Sequence, residues 1–465
     1  MPILRAQILQ RPSQGERPRA HLIGACGAGM KALAEILLDV GWELSGSDLS
    51  SDSSAWKSLI SLGVHLVPEH QASSISAELD IVFFSAAIPN SNPERTQASA
   101  LGIPQLSYVD SISRIANSMS CVAVAGTHGK SSTTAWIAAL LEQIGHSPTF
   151  ICGAERTSDH RNGKLGKGNL AVVEACEYRN HFHALNPEAI CLLGIEPDHF
   201  DCFSHFDLMI EAYAKFLDLL PSHGKIVYNK DCSVSSELIL NRDAKTISFS
   251  LRDSYADWYC QREGRQIHFF SKGIARNSYE FPLVGKHQLI NLTAAMATIE
   301  ALDGDLSHPG ITERILSPPQ LKRRFEIIES GPFGTVINDY AHHPTEIRMT
   351  LEATRKQYPN SRIRCCFQPH QLSRTQTLHM DFVEALALAD FVFILPVFAA
   401  REAQSVEFVN ESQKLVEDLN HRGKSAMFIP SLDQVWRTLE TDASNQDILL
   451  TLGAGDITRI HNERI

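Results

Sequence analysis

The sequence predicts an α/β chain built on open, mostly parallel sheets, and three observations lead there. Short apolar strands run straight into glycine-bearing turns and then helices, at residues 21–41 and again at 121–145. After residue 335 strands and helical stretches alternate once more, which argues another open parallel sheet. At 465 residues, with roughly 150 per domain as a prior, the chain has room for about three such blocks.

The first block opens with a strand at 21–23 and the turn Gly24-Ala25-Cys26-Gly27-Ala28-Gly29-Met30. The helix that follows carries Met30, Leu33, Ala34, Leu37 and Leu38 on a single apolar face at the helical period. Gly41 is placed to cap it, and a second strand at 42–44 leads to Ser45-Gly46-Ser47-Asp48. This βαβ start is of Rossmann type, and the block runs to about residue 117. The second block begins with a strand at 121–125, then Gly126-Thr127-His128-Gly129-Lys130-Ser131-Ser132 and a helix that Gly145 ends. Strands at 170–173 and 190–195 follow, and Ser317-Pro318-Pro319 reads as a linker into the third block. Strands at 335–337, 362–367, 391–395 and 448–452 give that block its sheet.

Composition excludes several classes. Hydrophobic residues make up 43% and charged residues 20%, so a core of normal size can form and a disordered chain is excluded. Forty-two Lys plus Arg against fifty-three Asp plus Glu gives −11, which disfavours a nucleic-acid binder working through a general basic surface. Small anions need only a local cluster of donors. No stretch approaches the ~18 apolar residues of a membrane span, so no membrane insertion is expected. Residues 1–20 are polar and Arg-rich without an apolar core, which reads as a frayed tail and not a secretory signal. Ten cysteines without paired spacing argue against a disulfide framework or a zinc site and for a reduced, cytoplasmic chain.

The turn from Gly126 to Ser131 carries the strongest chemistry. A glycine turn between strand and helix points backbone N–H groups at phosphate oxygens, and the helix N-terminus adds its dipole. Lys130 then suits the β/γ-phosphates and the Ser131 hydroxyl suits Mg²⁺. Val124 stands where the general P-loop has its first glycine, so the loop is a shortened variant. Such a loop needs an acid from a neighbouring strand; Glu174 fits, Glu177 lies three residues on, and Glu196-Pro197-Asp198-His199-Phe200-Asp201 follows the next strand. Any one of these acids alone reads better as a surface loop residue; two such loops leaving one sheet edge favour metal ligation. The spacing Gly24-x-x-Gly27-x-Gly29 is not the dinucleotide fingerprint, so no hydride-transfer cofactor is indicated. A pyrophosphate on that helix N-terminus and a ligand-free helix–strand crossing both stay open. Asp48 reads either as a sugar contact or as a turn residue. In the third block, Tyr340, His342, His343, Glu346, His370 and Arg374 crowd just after apolar strands, with Arg374 a natural carboxylate clamp. A lone histidine there is more often structural.

Together these residues resemble the Mur ligase family, in its L-alanine-adding branch, from residue 21 to about 460. Gly126-Thr-His-Gly-Lys-Ser and Asp198-His199-x-Asp201 mark the family. Gly24 to Met30, Asp339-Tyr-Ala-His-His-Pro-Thr-Glu, Phe367-Gln-Pro-His and Ser373-Arg-Thr mark the branch. The resemblance implies three domains: a Rossmann-like UDP-sugar domain at 1–117, a P-loop ATPase with a parallel sheet at 118–317, and a Rossmann-like amino-acid domain at 318–465. The implied substrates are ATP, UDP-N-acetylmuramate and L-alanine. The implied reaction passes through an acyl phosphate on the lactyl carboxylate, in peptidoglycan precursor synthesis.

The resemblance also implies residue roles. Gly126, Thr127, His128, Gly129, Lys130, Ser131, Ser132, His287, Asn291 and Arg324 would bind ATP. Gly24, Gly27, Gly29, Met30, Ser47 and Asp48 would bind the UDP-sugar. Tyr340, His342 and Arg374 would bind the amino acid. Ser131, Glu174 and His199 would hold two Mg²⁺ ions, and Lys130, His199, Arg374 and His342 would carry the catalysis. The family usually has Asn where Gln288 stands and Gly where Cys26 stands, and the segment 396–402 loses an acid and a hydroxyl. Lys215 lies where some relatives carry a carbamoylated lysine. The nearest rival is the ligase that returns a murein tripeptide to the same sugar, which the Cys26-Gly27 pair resembles; a nucleotide-dependent dehydrogenase is the rival from another class, and it leaves Lys130-Ser131 unexplained.

Overall fold

The computed structural model describes residues 8–9, 17–51, 53–240, 242–328, 334–400, 402, 405–440 and 443–461. The expected frayed tail falls largely outside them; Ile8 is buried, and its carbonyl accepts the Trp42 indole N–H at 3.1 Å. Arg401, in the segment that departs from the family, also lies outside the described residues.

The first sheet contains β1 (Arg19–Ile23), β2 (Glu43–Ser47), β3 (His65–Val67), β4 (Ile81–Phe84) and β5 (Gln105–Ser107). All are parallel, in the order β3-β2-β1-β4-β5. The second sheet contains β6 (Ser120–Ala125), β7 (Thr149–Ile151), β8 (Gly163–Lys164), β9 (Leu170–Glu174), β10 (Ala189–Leu192), β11 (Lys225–Asn229), β12 (Lys245–Ser250), β13 (Trp258–Glu263), β14 (Gln266–Ser271) and β15 (Ile274–Glu280). Its order is β15-β14-β13-β12-β11-β10-β6-β9-β7-β8, parallel from β7 to β13 with antiparallel strands at both edges. The third sheet contains β16 (Glu326–Ile328), β17 (Thr335–Asp339), β18 (Ile363–Phe367), β19 (Phe391–Ile394), β20 (Ser425–Phe428) and β21 (Ile448–Leu452), in the order β16-β17-β21-β18-β19-β20. The α/β class with parallel sheets is therefore as the sequence predicts. The run Val122-Ala123-Val124 is buried because both faces of a parallel sheet are covered, which makes such strands continuously apolar.

By contacts the chain divides into two compact units. One holds 1–195, 209–280 and 291–319, and so contains both the first and the second sheet. The other holds 196–208, 281–290 and 320–465. Among the described residues no helix is long and apolar enough to cross a membrane.

Two local expectations change. The second strand runs on to Ser47, so Ser45-Gly46-Ser47 is ladder and not turn. Gly46 permits this close pairing, since a Cβ there would sit 2.8 Å from the Leu22 carbonyl oxygen. The helix α1 (Ala28–Val40) is not buried on one face only: Lys31 and Glu35 are as buried as Leu33 and Leu37, because the segment around β8 covers the opposite side. Its C-terminus is as expected, with Gly41 in the left-handed region at φ 110° and its N–H bonded to Leu37 and Leu38 carbonyls.

Candidate active site

Parallel strands deliver their C-terminal ends to one edge, and three of them converge on the Gly126 turn. Val124 of β6 pairs with Glu174 of β9, and Ala125 pairs with Leu192 of β10. The turn then enters the helix α2 (Lys130–Gln143). Gly126 needs to be glycine: φ is 132°, and a Cβ would lie 2.8 Å from that of Leu193. Gly129 at φ 79° lies against Asn291, whose Oδ1 would be 2.4 Å from a Cβ there. Asn291 is itself buried and accepts the Thr133 hydroxyl at 3.3 Å, so a residue 162 positions after Gly129 closes the glycine turn.

The Lys130 ammonium folds back over the turn to the carbonyls of Gly126 (2.7 Å) and Thr127 (3.1 Å) and pairs with buried Glu177 at 2.9 Å. Burial works against its charge, but Glu177 and its neighbours more than offset this, so its pKa lies above the ordinary lysine value. Ser131 donates its hydroxyl to Glu174 at 3.0 Å, while the other Glu174 oxygen accepts the Gly153 N–H at 2.6 Å. A serine hydroxyl and a carboxylate this close form a hard-oxygen pair of the kind Mg²⁺ takes. His128 and Ser132 are half-buried on the turn and the first turn of α2. The sequence offers Glu177 only as an acid three residues after Glu174; its pairing with Lys130, 47 positions earlier, is not encoded by that spacing.

The Gly24–Met30 turn caps β1 and α1. Gly24 (φ 76°) and Ala25 donate their N–H groups to the Ser47 carbonyl at 2.9 and 3.1 Å, and Cys26 donates to the Asp48 carboxylate at 2.8 Å. Asp48 thus braces the turn. Ser47 serves through its carbonyl; its hydroxyl is buried, donating to Glu94 at 2.6 Å with His70 at 2.8 Å, so a side-chain contact from Ser47 to a sugar is not what the structure offers. Burial and the neighbouring Asp48 push the Cys26 thiol up to about 12, so it stays protonated. Gly27 is the N-cap of α1 and Met30 is buried within its first turn. Gly29 lies under the ring of Tyr108, the first residue of helix α3 (Tyr108–Ala116). Burial, then Glu174, Cys176 and Cys152, raise the Tyr108 phenol above its usual value.

In the second unit, polar groups gather at the C-terminal ends of β17 and β18. Tyr340 is flanked by the Arg323 and Arg324 guanidinium groups, 4.7 and 5.0 Å from its ring centre. His342 stands edge-on to both Tyr340 (5.2 Å) and His370 (5.8 Å). Its Nδ1 lies 3.1 Å from the Tyr340 carbonyl and 3.1 Å from Glu346, so that nitrogen carries the proton and Nε2 keeps its lone pair. Burial, partly countered by Glu346, lowers the His342 pKa. Burial also brings His287 down to about 4, so that ring is neutral near pH 7. Gln288, where the family has Asn, accepts the Gly285 N–H at 3.0 Å at the start of the helix Lys286–Ala301. Asp339 is pushed up to about 6 by burial, although it accepts the N–H groups of Phe325 and Ala341.

Segment 196–199 is pinned within this unit. Thr345 donates to Glu196 at 2.6 Å, His343 Nε2 lies 3.3 Å from the Pro197 carbonyl, and Arg374 reaches Asp198 through Nε (2.8 Å) and Nη2 (2.7 Å). Arg374 is 2% exposed, and its Nη1 faces the His370 carbonyl at 3.0 Å and the His370 ring at 3.2 Å. The sequence reads it as a carboxylate clamp; within the fold an internal carboxylate, Asp198, holds most of it. Next to Asp198, His199 adopts a left-handed backbone at φ 54°, a strained setting that recurs at functional sites. The Lys215 side chain is 69% exposed and approaches Glu211 at 3.9 Å.

Three family models match in order along the chain. The one described as Mur ligase family, catalytic domain, covers 19–119; the Mur ligase middle domain covers 124–299; and Mur ligase, glutamate ligase domain, covers 323–455. The UDP-N-acetylmuramate–L-alanine ligase of Caldanaerobacter subterraneus is 33% identical over 449 residues, 95% of this chain and 96% of that protein. Among solved structures, the UDP-N-acetylmuramate–alanine ligase of Thermotoga maritima superposes with a TM-score of 0.80 over 96% of this chain and 97% of that one, at 24% identity. A murein peptide ligase from Psychrobacter arcticus follows at 0.75, covering 96% and 98%, at 21% identity. At those identities the two structures speak for the fold alone.

Proposed function

Because the chain belongs to the Mur ligase family, we propose that it joins L-alanine to the lactyl carboxylate of UDP-N-acetylmuramate at the expense of ATP, in cytoplasmic peptidoglycan precursor synthesis. The observation that carries this reading is the end-to-end relationship to an L-alanine-adding ligase at 33% identity. The domains are taken as 1–117, 118–317 and 318–465, one for each sheet.

A carboxylate and a triphosphate repel one another, so the reaction needs cations where charge develops. Lys130, held charged by Glu177, supplies one at the phosphates over the Gly126 turn. Ser131 and Glu174 would be the oxygen donors for Mg²⁺ and His199 would hold a second ion; bound there, the metal would neutralise phosphate charge. The lactyl carboxylate attacks the γ-phosphorus and ADP leaves, giving the acyl phosphate. The alanine amine, once it has lost its proton, attacks the acyl carbon, and the tetrahedral intermediate expels phosphate. His342 Nε2, unprotonated and facing away from its Tyr340 contact, is the group assigned to take that proton. Four of the five Arg374 N–H groups are engaged by Asp198 and His370; the remaining one on Nη2 is assigned the alanine carboxylate. His287, Asn291 and Arg324 complete the nucleotide contacts.

The test is phosphate release by purified protein with ATP, Mg²⁺ and UDP-N-acetylmuramate, run with L-alanine, with murein tripeptide and with neither. Release that requires L-alanine, with a product heavier by one alanyl residue, is the expected result. Release only with tripeptide would give the chain the recycling reaction instead. Lys130→Ala should abolish release in either case.

A further inference from the structure

The helix α1, which begins at the Gly24–Met30 turn, is tied to the loop that follows β7 by a buried charged contact. Lys31 is 2% exposed, yet all three of its ammonium protons are used: on Glu155 at 2.8 Å, on the His160 carbonyl at 2.9 Å and on Asn162 at 3.0 Å. Glu35, one turn on, accepts the Asn162 and Gly163 N–H groups at 2.7 Å each. The backbone is as close as it can be, since a Cβ on Gly163 would lie 2.2 Å from the Ala32 carbonyl oxygen. The same loop begins two residues before Glu155 with Gly153, whose N–H holds Glu174 at 2.6 Å, and Glu174 in turn holds Ser131. An unbroken run of contacts thus leads from the turn at Met30 to the oxygen pair at Ser131.

We propose that Lys31 is a positioning residue: through Glu155 and the 153–162 loop it sets the distance between the sugar-diphosphate turn and the phosphate turn, so that the carboxylate meets the γ-phosphorus. Stability alone does not account for the arrangement. A buried ion pair contributes little over apolar residues of the same volume, whereas three directed hydrogen bonds fix one registry. Delivery is sensitive to registry, because a misplacement of about 1 Å in a bimolecular approach costs on the order of 10²-fold in rate. The two turns lie on different sheets, and this loop ties one to the other through side-chain and backbone hydrogen bonds.

The inference rests on reading these turns as the two substrate sites, and unmodified protein that released no phosphate with UDP-N-acetylmuramate, ATP and L-alanine would refute that reading before any variant is compared. Given an active enzyme, Lys31→Met and Glu155→Gln should each lower kcat by about 10- to 10²-fold. The KM values for ATP and the UDP-sugar should stay close to those of the unmodified enzyme. The double variant should be no slower than the worse single one, because the two residues act through one contact. Asp39→Asn breaks the Arg161 pair (2.8 Å) at the far end of the same interface, and should lower Tm while leaving kcat intact. If Lys31→Met does not fold, Glu155→Gln carries the comparison. A raised KM with kcat preserved, multiplying single effects, or an equal kcat loss in Asp39→Asn would each overturn the proposal.

Discussion

Arg374 and Asp198 show how far a residue's surroundings decide its behaviour. Burial alone would push the Asp198 carboxyl up, but Arg374, then His199, His342 and His343, outweigh it and hold the carboxyl well below the usual range. A depressed native pKa adds stability that is present above the unfolded value of about 3.9 and lost only as pH falls through the native one. Arg374→Met leaves burial unopposed by its strongest partner, and the sign reverses: the carboxyl then titrates above its unfolded value and stability falls as pH rises. We expect that variant to lose about 3–5 kcal/mol at pH 7 and markedly less at pH 4. Asp198→Asn in the same chain should recover most of the loss. Thermal melts at both pH values check this, and a loss independent of pH would show that Asp198 is not the group left exposed to its own charge.

At the scale of elements, the start of α1 is defined by what touches Gly29. A Cβ there would meet three carbons of the Tyr108 ring at 2.5–2.9 Å, so Gly29→Ala must displace either the ring or the turn. Overpacking of this kind costs about 1–3 kcal/mol. The cost should appear as a raised KM for UDP-N-acetylmuramate with the KM for ATP unchanged, and Tyr108→Ala should relieve it; kinetics of the two variants and their combination decide. The phosphate turn was legible in the sequence because it is local: strand, glycines, lysine and serine are consecutive, and Glu174 ends a neighbouring strand. The burial of Lys31 and Glu35 and the pairing of Asp39 were not legible, for the opposite reason. Their cover, residues 155–165, lies more than a hundred positions away, and periodicity records only that a side chain is polar. The sequence offers Ser47 and Arg374 as ligand contacts, but their partners Glu94 and Asp198 come from other elements that no spacing announces.

For the molecule as a whole, the first unit contains two sheets that a sequence reading separates at residue 117. Lys31, Glu35 and Asp39 bind one sheet's helix to the other sheet's edge hairpin, β7–β8, with hydrogen bonds that are largely shielded from water. Partners joined in this way should open together and not one after the other. Stability is then shared: a ligand for the first sheet alone must protect the second. At about 100 times its Kd, UDP-N-acetylmuramate adds roughly 2.7 kcal/mol to whatever unfolds with its site. Hydrogen exchange without ATP should therefore show that protection in β6 and β9, where no UDP-sugar contact is assigned, as well as in β1 and β2. In Lys31→Met the gain in β6 and β9 should shrink while that in β1 and β2 persists. Protection confined to the first sheet in the unmodified protein would mean that the two sheets unfold independently, and that the buried lysine does not join them.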